Sequence, residues 1–202
     1  MNSATLTFDL IKTYQYGCEI NYGFVFGRDH QKIFLIKTGQ NGSIYGYQNK
    51  YLKLAYEIRD LYGFSVVCAS TPSADIDQMA QFAEIVQSEF KITEATKIYF
   101  MGMSKGASIG CLGHASFPQI SRFLLINPPL MINTTKICRC SQNFAGETMT
   151  FVFGSLDPSA HLAGLLKLHE RENVRIAIIP RQDHYFSKDE FNLLQLIQST
   201  IL

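Results

Sequence analysis

The stretch Lys97-Ile-Tyr-Phe-Met-Gly-Met-Ser-Lys-Gly-Ala-Ser-Ile-Gly110 is the most informative in this 202-residue chain. Its first half is an apolar run of strand type, and its second half is a run of small residues suited to a helix packed close against a sheet. Between them stands Gly102-Met103-Ser104-Lys105-Gly106, a G-x-S-x-G sequence. A serine at the tip of so sharp a strand-to-helix turn takes a strained backbone conformation. The residues two places to either side must then be nearly free of side chain, and both are glycine. The helix that follows would offer backbone N–H groups to a developing negative charge. Glycine is common enough that the pattern alone is weak; the strand before it and the helix after it strengthen it.

Working outward, apolar β-branched blocks alternate with longer segments of helical period. Residues 5–26 read as two or three antiparallel strands, and Lys32–Lys37 as a fully apolar strand followed by the Gly-rich loop 38–43. A helix is expected over 49–62, ended by Gly63, and a strand over 64–69. Ser73-Ala74-Asp75-Ile76 reads as a helix start leading to Phe90, with Met79, Phe82, Ile85 and Val86 on its apolar stripe. Beyond the central stretch, strands are expected over 122–126, 149–153 and 174–179, and a helix over 159–172. Ser187 and Glu190 suggest a capping box opening a last helix. Residues 128–147 show no clear pattern and read as a loop in a lid or binding position. This order implies an α/β fold in one domain over 1–202: a mostly parallel central sheet with helices on both faces and antiparallel strands at the N-terminal edge.

The composition sets limits on function. With 47% hydrophobic and 17% charged residues the chain is an ordinary globular one. Eighteen basic against seventeen acidic residues give a net charge of +1, which provides no footprint for nucleic acid or an anionic membrane. No apolar run approaches the ~20 residues of a membrane helix. Residues 1–10 lack the basic-then-apolar order of a signal peptide, so a cytoplasmic location is expected. None of the five cysteines has zinc-type spacing; Cys138-x-Cys140 reads as reduced thiols, with a redox or metal role for the pair as the competing reading.

Three turns together resemble the α/β-hydrolase family, over a region from about Lys32 to the C-terminus. The first is the G-x-S-x-G turn at Ser104. The second is Gly154-Ser155-Leu156-Asp157-Pro158, an acid turn after the strand over 149–153. The third is Asp183-His184-Tyr185-Phe186 after the last strand, similar to the family's Asp-His pattern with an aromatic close behind. The order serine, acid, histidine is the family's order. The resemblance implies that Ser104 attacks an acyl carbonyl, that His184 is general base and then acid, and that Asp157 orients the imidazole. His30, His114, His161 and His169 end no strand and read as bystanders.

The resemblance also implies an oxyanion hole made of two backbone N–H groups, from Lys105 and from Gln40 in Thr38-Gly39-Gln40-Asn41-Gly42. Thr38 stands where the family often has histidine. Read as a phosphate cradle, the same loop lacks both the Gly-Lys-Ser/Thr of a P-loop and the G-x-G-x-x-G spacing. The Lys105 side chain reads as solvated at the cleft rim, the alternative being attraction of an anionic substrate. Gly39, Tyr45, Met103, Leu130 and Tyr185 are the expected substrate-lining residues, with Pro129 and Met131 beside them. The expected function is a serine esterase or thioesterase acting on a small-molecule acyl ester or thioester, with no metal or organic cofactor. An acyltransferase using the same triad, a non-catalytic accessory or binding protein of the fold and a nucleotide-binding α/β protein are the alternatives. The oligomeric state is left open.

Overall fold

The computed structural model describes residues 6–74, 76–187 and 191–202. Among these residues, eight strands, β1 (Leu10–Gln15), β2 (Glu19–Val25), β3 (Lys32–Lys37), β4 (Ser65–Ala69), β5 (Lys97–Met103), β6 (Ile120–Ile126), β7 (Thr148–Gly154) and β8 (Val174–Ile179), form one sheet. Their order is β1-β2-β4-β3-β5-β6-β7-β8. β1–β2 and β2–β4 pair antiparallel, and every pairing from β4 to β8 is parallel. The sheet is therefore the mostly parallel one expected, with its antiparallel strands at the N-terminal edge.

Among the described residues, six helices flank it: α1 (Lys50–Tyr62), α2 (Gln78–Glu89), α3 (Lys105–Leu112), α4 (Leu130–Asn143), α5 (Ala163–Lys167) and α6 (Leu193–Thr200). Alternation along the strands divides the core in two. Ile33 and Leu35 of β3 pack with Phe82 of α2, Ala107 of α3, Ile137 of α4 and Leu166 of α5. Phe34 and Ile36 face the other way, against Leu52 and Ile58 of α1 and Ile197 of α6. Strands buried on both faces need continuous apolar sequence, which is why β3 and β5 read so plainly. Among the described residues, no helix is long and apolar enough to cross a membrane.

Four expectations about helices differ from the structure. Residues 128–147 are not an irregular loop: most of them form α4, which begins after Pro129, bends at Asn133 (φ −136°) and buries Leu130, Ile137 and Ser141. Its Thr, Asn and Cys content is poor in intrinsic helix formers, so tertiary packing rather than propensity makes the helix. The expected 159–172 helix is a 3₁₀ turn (Pro158–Leu162) followed by the short α5. The second helix starts at Gln78 because Asp77 caps it, its carboxylate accepting from Met79 N and Ala80 N; Asp75 of the expected start lies outside the described residues. The last helix is capped by Asn192, which accepts from Gln195 N. Ser187 instead donates to Asp183 Oδ2, and Glu190 of the expected capping box lies outside the described residues.

Candidate active site

The carboxyl ends of β3, β5, β6, β7 and β8 converge, and each supplies one part of the site. At the end of β5 the backbone turns sharply at Ser104, whose φ of 53° and ψ of −119° lie in a sparsely populated region. Such a residue costs about 1–3 kcal/mol and persists only where its surroundings enforce it. Those surroundings are visible at the two flanking glycines. A Cβ on Gly102 would lie 2.6 Å from Ala107 Cα. One on Gly106 would lie 2.3 Å from the Thr38 carbonyl oxygen and 2.4 Å from that of Lys37. The G-x-S-x-G spacing is thus a packing requirement: Gly106 lets α3 touch the end of β3, where the loop 38–42 begins. Ser104 N–H donates to Ile126 O at 2.8 Å, which ties the turn to β6.

The acid comes from the turn after β7. Asp157 is 1% exposed. Its Oδ1 accepts from Ser159 N at 2.7 Å and its Oδ2 pairs with His184 Nδ1. His184, in the turn after β8, brings Nε2 to 2.9 Å from Ser104 Oγ. Three side chains from three separate turns therefore form one continuous hydrogen-bonded chain, Asp157–His184–Ser104. The Tyr185 ring stands edge-on to the imidazole at 5.3 Å and is mostly exposed.

Asn127, at the end of β6, was not singled out from the sequence, yet it holds the histidine turn in place. Fully buried and at φ 46°, it donates from Nδ2 to His184 O at 2.9 Å and to Asp183 O at 3.2 Å, while Oδ1 accepts from Gly154 N at 2.9 Å. One amide thus joins the acid turn to the histidine turn. Asn-Pro-Pro after an apolar strand reads simply as a stop, so only the positive φ tolerated by asparagine hints at the role. Thr71 is the second residue missed. Its hydroxyl donates to Thr38 O at 2.7 Å, and Thr38 Oγ1 donates to Gly42 O at 2.9 Å. Thr38, where the resemblance led one to expect histidine, is thus an internal brace of the loop. Among the described residues, the Gln40 and Lys105 amides have no hydrogen-bond partner in the protein.

A cavity of about 400 Å³ opens at Ser104 and His184. Of the expected lining residues, Gly39, Met103 and Tyr185 line it. Tyr45 and Leu130 do not: the Tyr45 ring packs on Phe8 at 5.2 Å, and Leu130 is fully buried in the core beside Ile137. Pro129 and Met131 are also absent from the lining, because α4 lies over the sheet face and not over the site. The wall consists instead of Gly46, Tyr47, Lys50 and Tyr51, from the turn before α1 and the helix's first residues. The Lys105 side chain is half-exposed and does not line the cavity.

Burial shifts two lysines. Lys37, the last residue of β3, is fully buried, and its Nζ donates to Ser70 O at 2.5 Å. Desolvation pulls its pKa down to about 7. Lys50 is half-buried, and burial lowers its pKa from the ordinary lysine value.

The architecture is similar to that of several solved structures. These include an alpha-beta serine hydrolase homologue from Coxiella burnetii (TM-score 0.71, 14% identity, 98% of this chain and 100% of that one). Est1E from Butyrivibrio proteoclasticus, solved with ferulic acid bound, gives a TM-score of 0.70 at 13% identity over 93% and 95% of the two chains. A lidless α/β serine hydrolase from Xanthomonas campestris gives 0.64 at 16% identity over 98% and 95%. No protein-family model matches the sequence, and no curated protein matches it. The chain has the α/β-hydrolase fold.

Proposed function

We propose that this α/β-hydrolase-fold protein is a serine hydrolase that cleaves a carboxylic ester or thioester through an acyl-enzyme on Ser104. The observation that carries the reading is the single imidazole of His184, bonded at once to Ser104 Oγ and to the buried Asp157 carboxylate. A scaffold or binding protein has no need of that chain of three. The likeness of the fold to known esterases and serine hydrolases supports the reading.

The chemistry follows from the geometry. Asp157 accepts from Nδ1–H, which leaves Nε2 free to take the Ser104 proton as Oγ attacks the acyl carbon. The imidazolium that forms stands against a carboxylate already desolvated and fixed by Ser159 N. The negative charge on the former carbonyl oxygen is received by the Gln40 and Lys105 amides, whose loops are locked before substrate arrives by the Thr38–Thr71 bonds and the Gly106 contact. His184 then passes its proton to the leaving alcohol or thiol. Water, activated by the same imidazole, hydrolyses the acyl-enzyme, and an alcohol in its place would give acyl transfer.

The test is labelling with a fluorophosphonate probe, mapped by peptide mass spectrometry. Covalent modification of Ser104 in the wild type, abolished in Ser104→Ala, is the expected result. An unlabelled wild-type protein that also leaves activated esters untouched would refute the reading.

A further inference from the structure

The cavity wall at the start of α1 carries a cation with no counter-charge among the described residues. Lys50 lines the cavity together with Ser104 and His184. Among the described residues it forms no ion pair; its Nζ stands over the face of its neighbour's ring, Tyr51, 5.1 Å from the centroid. Its position in the helix is also unfavourable for a cation. It is the first residue of α1, where the helix dipole is positive, and that first turn holds no acidic residue to compensate. A half-buried ammonium pays a desolvation cost, and among the described residues neither a carboxylate nor the dipole offsets it. Beside it, Tyr51 is 4% exposed, lines the same cavity, and its hydroxyl makes no hydrogen bond among the described residues. Among the described residues, the Lys50 ammonium and the Tyr51 hydroxyl are therefore two side-chain heads without a hydrogen-bond partner on one wall of the cavity, whereas Ser104 and His184 on its other side are bonded to each other.

Resting on the esterase reading above, we infer that Lys50, with the Tyr51 hydroxyl beside it, forms a subsite for a carboxylate on the substrate, so that the preferred substrates are esters or thioesters bearing a negative charge within reach of the reacting carbonyl. The ammonium supplies a charge-assisted hydrogen bond in a partly desolvated setting. Gly46, Tyr47 and Tyr51 line the cavity with Lys50 and would flank an apolar body joining the charge to the ester. A Cβ on Gly46, at 2.6 Å from Tyr51 Cδ2, would push into the ring that forms this wall.

Two probe pairs test the subsite on both sides of the scissile bond. On the acyl side, p-nitrophenyl hemiglutarate is compared with its methyl-capped diester. On the alcohol side, the butyrate of 4-hydroxybenzoate is compared with the butyrate of methyl 4-hydroxybenzoate. For each pair the anionic-to-neutral ratio of kcat/KM is measured in the wild type, Lys50→Met and Lys50→Arg, with folding checked by circular dichroism. Taking the ratio between proteins cancels the intrinsic reactivity of the leaving groups. In at least one pair the ratio should fall about tenfold or more in Lys50→Met, as expected for loss of a hydrogen bond to a charged group, and be largely kept in Lys50→Arg. If the wild type cleaves the neutral esters and both ratios are the same in Lys50→Met, the subsite is wrong and the esterase reading stands. If the wild type cleaves none of the four and resists the fluorophosphonate, both fall together.

Discussion

The two walls of the cavity are built on different terms. The wall around Ser104 is made of strand ends, and its side chains are bonded in a chain: Ser104 with His184, His184 with Asp157, Asp157 with Ser159, and Asn127 with both flanking turns, while the Gln40 and Lys105 amides stay unpaired among the described residues. The other wall is a 3₁₀ turn running into α1, with Gly46, Gln48 and Asn49 all at positive φ. There the Lys50 ammonium and the Tyr51 hydroxyl have no hydrogen-bond partner among the described residues. A wall whose groups are paired internally is preorganised for one chemistry and says little about the molecule it acts on. A wall whose side chains are unpaired is the one where, on the proposed reading, selectivity would reside.

The largest effect expected breaks the reacting wall at its tip. Ser104→Ala should lower turnover of an activated ester by roughly 10⁶-fold with the fold intact, following the behaviour of triad serines. Retention of more than about a tenth of wild-type turnover would remove Ser104 from the mechanism. Next comes the acid, for which two candidates are adjacent to the histidine in space or in sequence. Asp157→Asn should cost about 10⁴ in turnover, because an amide can present its N–H to Nδ1 and select the wrong tautomer. Asp183→Asn should stay within roughly tenfold. Its Oδ1 accepts from Tyr185 N and Ser187 N, and its Oδ2 from the Ser187 hydroxyl, so the carboxylate braces the turn ahead of it rather than the imidazole behind it. Both variants are assayed on one ester; a more damaging Asp183→Asn would require a different acid.

A smaller effect is expected where the two turns are joined. Asn127→Gly keeps the positive φ at no steric cost and removes only the side-chain bonds to His184 O, Asp183 O and Gly154 N. Misplacing the imidazole by about an ångström can cost up to about 10²-fold, and the loss should appear in kcat more than in KM. Wild-type kcat in this variant would mean that the histidine turn holds its own shape.

These contrasts also explain how much was legible beforehand. The parallel sheet could be read because β3, β5 and β6 are buried on both faces and so are continuously apolar. The candidate triad could be read because backbone geometry restricts residue choice at Gly102, Ser104 and Gly106, and because Asp157 and His184 each follow a strand. The cavity wall on the α1 side could not be read: it depends on which way α1 approaches the site, and Tyr47, Lys50 and Tyr51 have no pattern that reveals this. The same reason placed Tyr45 and Leu130 wrongly in the lining. Helix α4 was hidden by a Thr- and Asn-rich sequence whose helicity comes from burying Leu130 and Ile137. Asn127 and Thr71 bind backbone atoms distant in sequence, and such partners leave no local signature.

The smallest effect on activity, and a clear one on stability, is expected at the other cation. Lys37 and Lys50 both lose hydration, but Lys37 is on the reacting side, is wholly enclosed and has a protein partner in Ser70 O. Burial brings its pKa to about 7, against an unfolded value near 10.4. Between those values the unfolded chain binds a proton that the folded chain does not, so this group makes stability rise with pH across that window. Below about pH 7 both states are protonated and the group adds no pH dependence; above the unfolded value neither is. Lys37→Met keeps the length of the side chain and removes the titration. The variant should therefore be more stable than the wild type at pH 7, with the gap narrowing steadily towards pH 10. Urea midpoints measured at unit pH intervals from 6 to 10 provide the check. A gap that stays constant over that range would show that Lys37 keeps its proton in the folded protein, and that the Ser70 carbonyl stabilises a buried ammonium rather than an amine.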